Sequence, residues 1–153
     1  MALPRHAARR RAGMRGAVIV EFAVAFMPLA LVFFTFVQLG QVYTASLVLR
    51  HAAIQGVRTA AVVLPPNPGN VGKPEDVDRA VHLSLGPWDK RFTILEVKKT
   101  PARAPYELVT IEVKATYHCS VPLGQRIACG ADSLLELNPI VVQYPNQGAR
   151  YVQ

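Results

Sequence analysis

The chain has 153 residues, a formal net charge of +7 and 51% hydrophobic residues. Its length allows about one domain, and its charge would suit a nucleic-acid binder if the basic residues were spread over a folded surface. They are not: Arg5, Arg9, Arg10, Arg11 and Arg15 all precede Gly16 with no acid among them, and the rest of the chain is close to balanced. That placement argues against nucleic acid as a partner. Arginines flanking an apolar run instead orient a membrane helix, with the positive side in the cytoplasm.

Residues 1–16 read as a polar, basic leader with no reason to fold. Residues 17–39 read as a transmembrane helix. Between Ala17 and Leu49 the only formal charge is Glu21, and Phe22 to Val37 is almost entirely apolar. About 20 such residues, at roughly 1.5 Å each, cross a hydrocarbon core of about 30 Å. Pro28 lies inside the span, where neighbouring helices can rescue the freed carbonyl. A secretory signal peptide would have a shorter apolar core and a small-residue cleavage site after it; neither is present.

Glu21 is the unusual residue, because a carboxylate at bilayer depth costs several kcal/mol unless it is paired or near the interface. It lies five residues after Gly16, and Phe22 follows it. Basic leader, glycine, glutamate, aromatic and long apolar run resemble a class III signal, the substrate of a prepilin peptidase. The resemblance implies cleavage between Gly16 and Ala17, so that Glu21 becomes the fifth residue. It also implies that Glu21 neutralises the N-terminal ammonium of a neighbouring subunit, an attraction that burial in lipid strengthens. The plainer reading is an uncleaved signal anchor with Glu21 snorkelling at the cytoplasmic face.

Residues 40–64 contain no proline and are rich in helix formers. Tyr43, Leu47, Ile54, Val57, Ala61 and Leu64 recur at spacings of three, four or seven, which predicts one apolar face of a periplasmic stem helix. His51, Gln55, Arg58 and Thr59 fall to another side. Pro65 to Asn70 should end the helix. Gly69 to Lys73 looks like the end of a phosphate loop, but that motif needs glycine in place of Asn67 and Ser or Thr in place of Pro74, so it reads as a turn.

Residues 65–153 read as a small α+β periplasmic domain of roughly 90 residues, near the lower limit for an independent core. Pro74 opens a short helix with Glu75 and Asp76 in its first turn. Val77, Val81 and Leu85 share its apolar face, and Gly86-Pro87 stops it. Phe92 to Lys98 is a predicted strand, and Lys99 to Pro105 a loop. From Glu107 to His118, Val109, Ile111, Val113, Ala115 and Tyr117 alternate with polar residues, the period of a strand with one wet face. Ile140, Val142 and Tyr144 suggest a last strand. The expected fold class is α+β: a long N-terminal helix capped by a small antiparallel sheet.

Cys119 and Cys129 are the only cysteines, ten residues apart. In an exported domain they suit a disulfide closing a short loop. A metal site using His118 would need three or four ligands, and Asp132 is the only other nearby candidate in sequence. The spacing is not that of a redox pair. His6, His51, His82 and His118 are scattered, and neither G-x-S-x-G nor H-E-x-x-H occurs. The sequence therefore implies no enzyme, no cofactor, no metal and no small-molecule substrate.

RGAVIVEFAVAFMP, then FVQLGQVY, then LRHAAIQGVRTAA together resemble the TadE-like proteins, pseudopilins of tight-adherence (Tad) pilus systems. The elements are Gly16, Glu21 and Phe22; Pro28, one residue later than the usual spacing; Leu39, Gly40 and Tyr43; and Ala52, Ala53, Gly56, Arg58 and Ala60. The resemblance covers Arg15 to Ala61. It implies a pilin-like fold and a minor pilin in the inner membrane, with its C-terminal domain in the periplasm or carried into a pilus. Its implied partners are other pilin or pseudopilin subunits, the assembly machinery, the prepilin peptidase and membrane lipid. The competing reading is a signal-anchored periplasmic binding module or adhesin accessory.

Overall fold

The computed structural model describes residues 5–64, 73–101 and 107–146. A single helix dominates it: α1, Arg5–Val63, has 59 residues and runs through Pro28 without a break. At 1.5 Å per residue it is about 90 Å long. The membrane segment and the stem are thus one element. The leader departs from expectation, being helical from Arg5. Ala, Arg and Met favour helix, and extending an existing helix needs no new nucleus. The turn expected at residues 65–72 lies outside the described residues, as does most of the loop at 99–105.

α2 (Pro74–Leu85) starts as predicted, with proline and two acids in its first turn. The Lys73 backbone N–H donates to the Asp76 carboxylate at 2.8 Å, which satisfies one open donor of the helix start. Gly86, at φ 54°, turns the chain, but helical winding does not stop there. A 3-10 turn, Gly86–Arg91, follows directly. His82 Nδ1 and Asp89 Oδ1, 2.7 Å apart, tie this turn back to α2.

Four strands follow, with a short helix among them: β1 (Phe92–Thr100), β2 (Leu108–His118), α3 (Gly124–Ala128), β3 (Leu134–Glu136) and β4 (Ile140–Pro145). β2 is the centre of the sheet. β1 pairs along one edge, while β4 and β3 share the other, all antiparallel. β1 runs two residues further than expected, to Thr100. There Lys99 Nζ binds Asp78 Oδ2 at 2.6 Å and the Pro74 carbonyl at 2.9 Å, tying the strand to α2.

The alternation read in β2 is borne out: Val109, Ile111, Val113, Ala115 and Tyr117 are buried on one face. That face lies against α1, with α2 completing the core. Val77, Val81 and Leu85 of α2 point into it as predicted. The α+β class and the cap-on-helix arrangement therefore hold.

The apolar face predicted for the stem is only partly right. Val57 and Ala61 are buried, but Tyr43 is 68% exposed, and Leu47 and Ile54 are exposed too. The buried stripe is instead Ala45, Leu49, Ala52, Ala53, Gly56, Val57, Ala60 and Ala61. It lies about a quarter-turn round the helix from the face of large residues. Small side chains win because they admit close neighbours. A Cβ on Gly56 would stand 2.6 Å from Cγ2 of Val81, so α2 approaches α1 only because Gly56 has none.

Candidate functional site

α1 carries two candidate regions. The lower one surrounds Gly16, Ala17, Glu21 and Phe22, all exposed on the helix surface. Phe22 stacks on Phe26, one turn on, with ring centroids 5.4 Å apart. Among the described residues no ion pair engages Glu21. Gly16 has open space around its Cα. From Val18 to Leu39 most large apolar side chains project outward with nothing from the cap domain over them. Among the described residues α1 is the one helix long and apolar enough to cross a membrane.

The upper region is a clasp between α1 and the disulfide loop. The structure joins Cys119 to Cys129, with Cα atoms 6.5 Å apart. The loop they close contains α3. Gly124 at its start sits on the helix backbone: a Cβ there would be 2.5 Å from the Phe34 carbonyl oxygen. Gln38, fully buried, accepts a hydrogen bond at Oε1 from the Val121 backbone N–H at 3.0 Å. Its Nε2 is directed at Cys129 Sγ, 4.0 Å away. One turn higher, Tyr117 Oη donates to Gln41 Oε1 at 3.3 Å.

Sequence reasoning missed Gln38. Its signal was available, as a lone amide closing a run of apolar residues, since a buried amide needs a partner. The partner comes from 83 positions away and could not be read. Among the described residues no cluster of three metal-binding side chains occurs. Nothing in this region resembles an arrangement of nucleophile, base and oxyanion donors.

The architecture is thus α+β, a long apolar helix of membrane-spanning length with a small antiparallel sheet cap clasped to its upper half. Residues 16–58 match the family model of the TadE-like proteins, so this stretch of α1, from the Gly16 junction to Arg58, is similar to that family. The similarity is to a family of Tad pilus systems over residues 16–58 alone, and it fits membrane anchoring through α1. Neither a curated protein nor a solved structure is found to be similar to the chain.

Proposed function

We propose that the protein is a minor pilin, or pseudopilin, of a Tad-type pilus or a related secretion apparatus. In this reading a prepilin peptidase cleaves it between Gly16 and Ala17 at the cytoplasmic face of the inner membrane. The cap domain faces the periplasm, where the Cys119–Cys129 bridge forms. The mature helix then associates laterally with other pilin-type subunits, and Glu21 meets the amine of a neighbour. The activity is assembly rather than chemistry.

The observation that carries this reading is the exposed apolar side of α1. It does not end where a bilayer would end. Tyr43 and Leu47, both exposed, continue it above the span. A simple anchor needs an apolar surface only through the membrane. A subunit that packs by its helix needs one along the stem as well.

Glu21→Ala tests the reading. The variant should insert in the membrane at the wild-type level, because removing a carboxylate lowers the cost of burial. Pilus formation, counted by electron microscopy in a strain with that sole copy, should fall at least tenfold. Wild-type piliation with Glu21→Ala would count against the role assigned to this residue.

A further inference from the structure

We propose that the disulfide loop Cys119–Cys129 is a second membrane contact, dipping its tip into the lipid leaflet on the cap-domain side. The inference rests on the reading of α1 as a membrane span. If the hydrocarbon begins at Ala17, about 20 residues of helix cross it and bring the far boundary to about Phe36. Gly124 seats against Phe34, below that boundary. The loop therefore hangs at the level of the outer acyl chains.

The side chains at the tip suit lipid. Leu123 is 55% exposed and Ile127 54%. Ile127 walls an open cleft of about 210 Å³ with Leu31, Val32, Thr35, Phe36 and Leu39 of α1. The one hydroxyl among them, on Thr35, is spent on the Leu31 carbonyl at 2.7 Å. The cleft is thus apolar throughout, as an acyl chain requires.

The backbone is prepared for the same depth. Irregular chain survives in hydrocarbon only where its polar groups find partners within the protein. Val121 N–H has Gln38, and Pro122 has no N–H to satisfy. The backbone N–H groups of Cys119, Gly124, Gln125 and Cys129 donate to Ser133, Pro122, Val121 and Gln125 carbonyls at 2.7–2.9 Å.

Just above the tip lies a belt of the kind found at membrane interfaces. Trp88 and Arg91 face Val37 and Gly40 across a shallow cleft. The Arg91 guanidinium lies 5.5 Å from the Trp88 ring and donates to Ser120 Oγ at 3.5 Å. Tryptophan prefers the headgroup level, and the exposed Arg91 and Arg126 can snorkel to it. Asp132, also exposed, is the acid nearest in sequence to the loop. The two contacts together would fix both the depth of α1 and its rotation, presenting its exposed apolar side in a set direction.

The test uses the full chain in vesicles of phosphatidylethanolamine and phosphatidylglycerol, at high lipid excess, with acyl chains brominated at shallow or deep positions. Trp88 is the chain's only tryptophan. Trp88→Phe therefore gives a blank background into which Ile127→Trp, Phe26→Trp or Leu83→Trp is placed. Leu83 is exposed on α2 and reports water. The expected result is at least a twofold loss of Ile127→Trp emission with shallow bromines, strong loss at Phe26→Trp, and none at Leu83→Trp. If Phe26→Trp is quenched while Ile127→Trp behaves like Leu83→Trp, the loop lies in water and the proposal fails. If Ile127→Trp is shielded from aqueous iodide yet untouched by bromolipid, protein covers the tip and the proposal also fails. If Phe26→Trp is not quenched either, the membrane reading of α1 falls and this inference with it.

Discussion

Both halves of α1 carry many apolar side chains, those of the upper half interspersed with Arg50, His51, Gln55 and Arg58, and the halves bury them in opposite ways. Along Val18–Phe36 the large side chains point outward and nothing among the described residues covers most of them. Along Ala45–Ala61 a stripe of mostly small residues is sealed under α2 and the sheet, while large residues such as Tyr43 and Leu47 face away. The difference teaches that hydrophobicity alone does not say which surface a protein keeps for itself. Its own core takes the face that lets other elements come close, and the bulky face is left for lipid or other chains. Gln38 stands between the two regimes as the first fully buried residue after Gly16, and it is polar.

That contrast can be broken most forcefully in the upper half. Ile111→Ala removes a fully buried side chain facing α1 and α2. It should destabilise the cap domain by about 2–5 kcal/mol, read from guanidinium unfolding in detergent micelles with Trp88 fluorescence as the probe. A loss below about 1 kcal/mol would mean that the sheet is not held on the helix as described. Phe26→Ala removes a comparable bulk from the lower half, where no cap residue covers it. The same unfolding curve should shift by no more than about 0.5 kcal/mol, the range of surface substitutions. Were both variants equally damaging, the two halves would not be distinct regimes.

How much was legible in the sequence follows from which forces act locally. β2 was read because alternation is set by one strand alone, and Val109 to Tyr117 hold it without interruption. α2 was read for a similar reason, with Pro74, Glu75 and Asp76 marking its start and three apolar residues its face. The buried face of the stem was misassigned because weight fell on large residues. What decides it is the approach of Val81 to Gly56, a contact between elements. The 3-10 turn, α3 and β3 are too short to show a period, and Gly86-Pro87 looked like a full stop. The candidate cleavage site and Glu21 were visible as a motif, because a lone charge in an apolar run stands out. The clasp was not, since Gln38 acquires its meaning only from Val121 and Gly124 folding back onto the helix.

The measurement that bears most directly on the pilin reading is the mass of the N-terminal peptide of the protein extracted from native membranes. The account predicts a mature chain beginning at Ala17, with the five arginines before Gly16 removed. A chain that still carries residues 1–16, in cells whose prepilin peptidase is active on other substrates, would contradict it. The protein would then be an anchored periplasmic module whose Glu21 has some other purpose.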